Sequence, residues 1–143
     1  MSEITKTKTF DESLKQKIFD SFGEVPFVRL IGMELVALEI GTATLRLAMR
    51  DELRQPYGLL HGGATASLID TATAFAILGH LADGEMASTV DLTIQYLRPH
   101  TDGALRCTAK VTRAGKRLLF VAAEVTNEAD KPVATALSTY TKV

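Results

Sequence analysis

The stretch QPYGLLHGGATASLIDTATAFAILGHLADG, residues 55–84, decides the fold because it contains a long apolar segment of helical length. Residues 64–82 are mostly Ala, Leu, Ile and Phe, and a helix that is apolar on nearly every side must be covered nearly all round. Asp70, His80 and several hydroxyl residues would be unfavourable in a lipid-exposed span. The stretch therefore predicts a helix enclosed by protein.

Alternating runs of apolar and polar residues flank this helix and are typical of half-buried β-strands. The runs lie at residues 34–49, where Gly41 separates two of them, and at residues 89–97, 105–113, 118–127 and 133–142. Strands that cluster after one central helix and are joined by short turns favour an antiparallel sheet. The order predicts an α+β fold in which a curved antiparallel β-sheet wraps around one long central α-helix.

Residues 89–97 show the two-residue period clearly. The apolar side chains of one face are Val90, Leu92, Ile94 and Tyr96, and those of the polar face are Thr89, Asp91, Thr93 and Gln95. This alternation predicts a strand whose apolar face is turned toward the core.

The N-terminal residues are predicted to form a short surface helix. Apolar residues recur on one face of residues 10–22, and Thr9 and Glu12 stand at the spacing of a capping box. Pro26 and Gly32 then break the helical pattern before the first strand.

Length, charge and cysteine content narrow the class of protein. At 143 residues, we predict a single domain over residues 1–143, with residues 1–25 as an N-terminal helical extension. A net charge of −1 without a basic run argues against nucleic-acid and membrane partners. The single cysteine, Cys107, favours a reducing compartment, so a cytoplasmic protein is predicted.

Asp70 is the residue whose setting most strongly suggests chemistry. A carboxylate among apolar neighbours loses hydration unless it is paired, and the nearby helix offers no Lys or Arg. Its partners are expected elsewhere in the fold or on another chain. The alternative is that Asp70 is hydrogen-bonded and inert on a polar stripe with Ser67, Thr71 and Thr73.

His61, Gly62 and Gly63 stand at the entrance of the predicted helix. Glycines there leave backbone N–H groups open to a ligand, and the helix dipole helps such donors to polarise a carbonyl oxygen. The alternative is that the glycines only permit a turn or close packing. Similarly, His61 alone can be a capping residue, and Gln55 an ordinary loop residue.

No metal site is predicted, because His80, His100 and Cys107 lack the spacing of metal ligands. Neither a Gly-rich phosphate-binding fingerprint nor a nucleophile-elbow Ser is present. We therefore expect neither a metal nor a resident cofactor.

Three segments carry a family resemblance: GLLHGGATASLIDTA, in which Asp70 follows His61 by nine positions, STVDLTIQYLRP and RAGKRLLFVAAEV. From Gly32 to the C-terminus, the chain resembles the hotdog-fold acyl-CoA thioesterases. It is most similar to the phenylacetate-degradation-type branch, which is like 4-hydroxybenzoyl-CoA thioesterase. The resemblance implies a hotdog subunit that forms homodimers with joined sheets, and usually a homotetramer.

The resemblance also implies roles for single residues. The backbone N–H of Gly62 would hold the thioester carbonyl, and Asp70 would be the general base or the nucleophile. His61 and Gln55 would position the thioester and the attacking water, and Thr89 matches the position of a water-binding hydroxyl. In such dimers, Asp70 faces the Gly62 and Gln55 of the neighbouring subunit.

The implied substrate is an acyl-CoA, hydrolysed to the free acid and CoA. Leu60 is expected beside the acyl group, and Gly63 is expected to bind the substrate. The turn of Gly115, Lys116 and Arg117 matches the region that lies along the CoA arm. Since CoA is part of the substrate, the resemblance implies no separate cofactor.

Two other functions remain open at this point. A non-catalytic acyl-CoA-binding hotdog module would share the fold, although the retained Asp70 argues against an inactive site. A hotdog hydratase or dehydratase would place an acid and a His, here Asp70 and His61, around the α and β carbons of the substrate. The HGG entrance favours the thioesterase over this alternative.

Overall fold

The computed structural model describes residues 11–143. Its helices are α1 (Glu12–Phe22), α2 (Pro26–Ile31) and α3 (Gly62–Ala76). Two short 3₁₀ turns, Asp51–Leu53 and Leu78–His80, flank the region of α3. No helix within this part of the chain is long and apolar enough to cross a membrane. The single-domain assignment of residues 1–143 stays a prediction.

Six strands form one antiparallel sheet: β1 (Met33–Glu39), β2 (Thr42–Ala48), β3 (Ala87–Tyr96), β4 (Ala104–Ala114), β5 (Leu118–Thr126) and β6 (Pro132–Lys142). Their spatial order is β1-β2-β4-β5-β6-β3, and all neighbouring strands are antiparallel. Strands β1 and β3 are therefore the two edges of the sheet. The predicted α+β class with an antiparallel sheet is confirmed.

Helix α3 packs across the inner face of the sheet, mainly on β2 and β4. Leu68, Ile69, Ala72 and Ala76 on this helix are completely buried. Ala side chains let a helix approach a sheet closely. The apolar segment is thus enclosed by protein, as the sequence predicts.

Helix α3 is shorter than the apolar segment that predicts it. The α-helix ends at Ala76, and Leu78–His80 continues as a 3₁₀ turn. The turn contains Gly79, which is buried, and glycine favours helix formation less than the residues before it.

Helix α1 starts later than the sequence predicts. Asp11 is its N-cap, and the Asp11 carboxylate accepts a hydrogen bond from the Leu14 N–H at 2.8 Å. Glu12 is therefore the first helical residue rather than the third residue of a capping box. Thr9 and Phe10 lie outside the described residues.

Helix α2 lies where the sequence predicts only a break. Pro26 fits its first turn, because the N–H that proline lacks would be unpaired there in any residue. Gly32 ends the helix in the left-handed conformation, with a φ of 87° and its N–H donating to the Val28 carbonyl at 2.8 Å. Pro26 and Gly32, which interrupt the helical pattern of the sequence, are therefore the boundaries of a short helix.

Two β-bulges interrupt the alternation of the edge strands. The extra residues are Val36 in β1 and Val90 in β3. The prediction that Val90 shares the core face with Leu92 is wrong, since 57% of the Val90 surface is exposed. An extra residue moves the part of the strand before it to the opposite face.

Candidate active site

The entrance of helix α3 is capped by His61. Its Nδ1 atom accepts a hydrogen bond from the Gly63 N–H at 2.8 Å. The Gly62 N–H has no acceptor among residues 11–143. Of the two glycine donors at the entrance, the cap therefore occupies one and leaves Gly62 free to bind a carbonyl oxygen.

Tyr96, at the end of β3, fixes the first peptide group of the helix. Its hydroxyl donates to the Gly62 carbonyl at 2.6 Å. A Cβ atom on Gly62 would lie 3.3 Å from this hydroxyl, so the close approach favours glycine. Burial raises the pKa of Tyr96 above its ordinary value, which keeps the hydroxyl protonated as a donor at neutral pH.

The loop before the helix is held in a turn. Gln55 Oε1 accepts a hydrogen bond from the Tyr57 N–H, and the Gln55 N–H donates to the Leu59 carbonyl at 2.7 Å. The Arg54 guanidinium donates to the Gly58 and Thr101 carbonyls, both at 2.7 Å. These contacts hold Gln55 at the rim of the helix entrance.

A cleft of about 600 Å³ lies at the entrance. Its walls include the predicted residues Gln55, Leu60, Gly62 and Gly63. Tyr96 also lines the cleft, so the walls come from the loop, the start of α3 and the end of β3. The structure thus brings four of the predicted site residues together in one concave, partly apolar site.

Asp70 lies in the middle of α3 and is half-buried. Its Oδ1 atom accepts hydrogen bonds from the Thr89 hydroxyl at 3.0 Å and the Tyr140 hydroxyl at 3.3 Å. Tyr140 also contacts the Asp70 backbone carbonyl at 2.9 Å and the Thr73 hydroxyl at 2.8 Å. Hydroxyl groups, rather than a cation, are the partners of this carboxylate among residues 11–143.

Oδ2 is the free oxygen of Asp70. It accepts no hydrogen bond from residues 11–143. No buried side-chain oxygen or nitrogen in this part of the chain lacks a partner, so Oδ2 must reach solvent. Hydrogen bonds thus hold Oδ1, and Oδ2 is available to accept a hydrogen bond from another molecule.

The bulge at Val90 explains how Thr89 reaches Asp70. Thr89 pairs with Tyr140 on β6, whereas Asp91 pairs with Thr139. Cross-strand partners share a face of the sheet, so the bulge turns Thr89 to the helix side while Asp91 stays on the outer side. Simple alternation would have placed Thr89 and Asp91 together.

The predicted CoA-binding residues form a third group at the β4–β5 turn. Gly115 permits the tight turn, because its N–H donates to the Leu118 carbonyl at 2.8 Å and a Cβ atom would lie 3.0 Å from that oxygen. Lys116 and Arg117 follow directly. Since Leu119 in β5 pairs with Tyr140, this turn lies at the Asp70 end of the sheet.

The three groups do not form one site within a single chain. Asp70 follows Gly62 by eight residues, which is a rise of about 12 Å along the helix axis. A thioester carbon in reach of both groups would have to be about 3 Å from each of them. Asp70 and Thr89 therefore lie together, while Gly62, Gly63, Leu60 and Gln55 lie together elsewhere.

His80, His100 and Cys107 each have contacts within the fold, and His100 also lines the cleft at the entrance of α3. The buried His100 is 3.0 Å from the Gly103 carbonyl through Nε2. His80 lies against Gly41, where a Cβ atom would be 3.2 Å from its Nε2. Burial raises the pKa of the Cys107 thiol to about 12. Among residues 11–143, no group of three metal-ligating side chains is present.

Sequence reasoning missed Tyr140 and Arg54. Both residues form hydrogen bonds with partners that are distant in the sequence. Tyr140 is 70 residues from Asp70, and Arg54 is 47 residues from Thr101. The one available indication was that a tyrosine in a buried strand needs a hydrogen-bond partner for its hydroxyl.

The sequence profile of the thioesterase superfamily matches residues 57–134, more than half of the chain. The chain belongs to the thioesterase superfamily. Human acyl-coenzyme A thioesterase 13 is 33% identical over 105 residues, which cover 72% of this chain and 74% of the relative.

Solved structures of the superfamily share its fold with this chain. The conserved protein PA5202 from Pseudomonas aeruginosa is 38% identical, with a TM-score of 0.79, and the match covers 82% of this chain and 94% of that one. The Escherichia coli PaaI protein from the phenylacetic acid degradation operon is 25% identical, with a TM-score of 0.82 and coverage of 90% and 92%. The predicted family, hotdog fold and enzyme class of thioester hydrolase are confirmed.

Proposed function

We propose that this thioesterase hydrolyses an acyl-CoA to the free acid and CoA. The human relative, named as an acyl-coenzyme A thioesterase, supports the substrate class. The observation that carries the proposal is Asp70, a half-buried carboxylate in an apolar helix with its Oδ2 atom unpaired among residues 11–143. Such an oxygen can take a proton from water or attack a carbonyl carbon.

The chemistry requires little assistance from the protein. The thiolate leaving group has a conjugate acid with a pKa of about 8.5 if it resembles cysteine. The free Gly62 N–H would bind the carbonyl oxygen more strongly as it becomes an oxyanion, a contribution of about 3 kcal/mol. Asp70 as a general base would add about 10²- to 10⁴-fold, and as a nucleophile it would form an anhydride that water then hydrolyses.

We propose that each active site is built between two subunits. The axial separation of about 12 Å between Gly62 and Asp70 in one helix supports this arrangement, because one thioester cannot reach both. Gly62 and Gln55 of one subunit would then meet Asp70 and Thr89 of its neighbour. Within the entrance, the cap formed by His61 would leave Gly62 as the donor.

Strand β3 supports a homodimer. It is an edge strand of ten residues, Ala87–Tyr96, and an edge of this length is a template for pairing with another chain. Pairing of two β3 edges would join the sheets beside the two Thr89–Asp70 pairs. The outer sheet face, where Leu137 and Phe120 are exposed, would serve a further pairing into a homotetramer.

The substrate would extend from this site in two directions. Leu60 and Gly63 would contact the acyl group at the cleft, and Gly115, Lys116 and Arg117 would lie along the CoA arm. Both basic side chains suit the phosphates of CoA. CoA enters as substrate, so the proposal contains no resident cofactor and no metal.

We also propose a cytoplasmic location. The chain has one cysteine, and Cys107 is a buried free thiol. A protein without disulfides fits a reducing compartment.

The decisive experiment measures release of free thiol from short, medium, long and aromatic acyl-CoAs by the wild type and Asp70→Asn. Asn keeps an oxygen that can accept from Thr89 and Tyr140, but it cannot act as a base. We expect a loss of at least ~100-fold in kcat, in line with general base catalysis, and an unchanged oligomer.

Each other outcome has a defined meaning. If Asp70→Asn hydrolyses acyl-CoA as fast as the wild type, Asp70 has no part in the mechanism. A wild type that binds acyl-CoA tightly but hydrolyses no member of the panel would favour the non-catalytic binding module.

A further inference from the structure

Tyr140 is a buried residue that contacts Asp70 at two points. It lies on β6 with 3% of its surface exposed. Its hydroxyl is 2.9 Å from the Asp70 backbone carbonyl and 3.3 Å from Oδ1 of the same residue. One hydroxyl therefore contacts both the main chain and the side chain of the acid.

Thr73 anchors the Tyr140 hydroxyl from the next turn of the helix. The two oxygens are 2.8 Å apart, and the Thr73 hydroxyl also lies 3.0 Å from the Asp70 carbonyl. Burial raises the pKa of Tyr140 above its ordinary value, so its hydroxyl remains a donor at neutral pH. The network thus holds the Tyr140 hydroxyl against Asp70.

Thr89 approaches the same carboxylate oxygen from β3. Because Thr89 and Tyr140 are cross-strand partners, the register of the sheet places both hydroxyls beside Oδ1. Turning the plane of the carboxylate away from this orientation about the Cβ–Cγ bond would break both contacts. The two hydroxyls therefore hold one oxygen, Oδ1, and leave the other, Oδ2, toward solvent.

We propose that Tyr140 is a positioning residue for Asp70: it locks the carboxylate so that Oδ2 is presented to the thioester or to the attacking water. This inference rests on the proposed function of Asp70. Tyr140 itself is only 3% exposed, so its hydroxyl is not open to a substrate. Its effect is therefore on the turnover of bound substrate rather than on substrate binding.

The test compares Tyr140→Phe with Ser138→Ala, two variants that each remove one buried hydroxyl from β6. Ser138 is 2% exposed and donates to the Asp91 carbonyl at 3.0 Å, so it reports the general cost of losing a hydroxyl from this strand. Since small misplacements of a catalytic group reduce turnover, we expect Tyr140→Phe to lower kcat about 10-fold and to change KM less than about twofold. Ser138→Ala should leave kcat within about twofold of wild type.

Thr73→Val gives a second, nearly isosteric test that keeps the tyrosine. It removes the Thr73 hydroxyl that contacts the Tyr140 hydroxyl and keeps nearly the same side-chain volume. We therefore expect kcat to fall about threefold, a smaller loss than that of Tyr140→Phe. Thermal unfolding of all three variants shows whether each is folded at the assay temperature.

The outcomes separate the inference from the proposed function. If the wild type hydrolyses acyl-CoA through Asp70 but Tyr140→Phe and Ser138→Ala have equal kcat, the positioning role is overturned and Asp70 stands. A rise in KM with unchanged kcat in Tyr140→Phe would also overturn it. If the wild type hydrolyses no acyl-CoA, the proposed function and this inference fall together.

Discussion

Helix α3 presents candidate functional groups at its entrance and at its middle, and the two regions are held in different ways. At the entrance, the candidate group is the Gly62 backbone N–H, which has no acceptor among residues 11–143 because the neighbouring His61 caps Gly63 instead. In the middle, the group is the Asp70 side chain, and it is placed by hydroxyls from β3 and β6.

This difference determines how each region responds to substitution. Every substitution except proline keeps the backbone N–H of Gly62, so the entrance is disturbed mainly by added bulk or by loosening the loop that contains Gln55. A carboxylate is disturbed by the loss of one oxygen or one hydroxyl contact. The entrance therefore depends on close packing, and the middle of the helix depends on hydrogen bonds from distant strands.

The largest effects are expected when either region is damaged in every subunit, and combining the two damaged chains in one heterodimer should restore part of the activity. Gly62→Val should lower kcat about 100-fold, the scale of a lost oxyanion donor, because its added carbons collide with Tyr96. Purified heterodimers of Gly62→Val and Asp70→Asn, isolated with two tags, should regain about half of the wild-type activity, since one of two sites is intact.

The comparison breaks if the heterodimer is as inactive as its parents, because both halves of the site would then belong to one chain. Gly23→Val is the matched control for Gly62→Val. A Cβ atom on Gly23 meets nothing within 4 Å, and its φ of −70° suits any residue.

A moderate effect is expected for Gln55→Ala. We expect kcat to fall about 10-fold, which corresponds to one hydrogen bond, because in the proposed mechanism Gln55 orients groups and does not react. Gln55→Glu separates two contributions, since it retains an oxygen for the Tyr57 N–H and loses the amide donor. A loss as large as that of Asp70→Asn, measured in the same thiol-release assay, would contradict an orienting role.

The smallest effect is expected for Tyr96→Phe, which loses the hydrogen bond to the Gly62 carbonyl. Urea unfolding should show a loss of about 1 kcal/mol in the free energy of unfolding, with kcat lowered about twofold. Tyr57→Phe is the control, since Tyr57 is 88% exposed. A much larger fall in kcat for Tyr96→Phe would mean that its hydroxyl contacts the reacting atoms.

Much of the architecture is predictable from the sequence because it depends on short-range patterns. The alternation of apolar residues identifies β2, β4, β5 and β6, and the apolar segment identifies α3. The prediction fails at Val36 and Val90, where one extra residue shifts the alternation without changing the composition of the strand.

The candidate site shows the same division. His61, Gly62 and Asp70 are recognisable in the sequence because they lie on one helix and its N-terminus, where spacing along the chain fixes spacing in space. Tyr140 and Arg54 are not recognisable, because their partners are distant in the chain and depend on the register of the sheet and on the packing of loops.

The sequence by itself determined the enclosed helix, the glycine entrance, the acid and the antiparallel class of the sheet, since local periodicity and motif spacing encode these features. Only the tertiary structure decided that Thr89 faces the helix and that Tyr140 shares Oδ1 of Asp70 with it. It also decided that the cap occupies Gly63 and leaves Gly62 free. The physical reason is that a side chain's direction follows from strand register and hydrogen-bond competition, which are settled only when distant segments pack together.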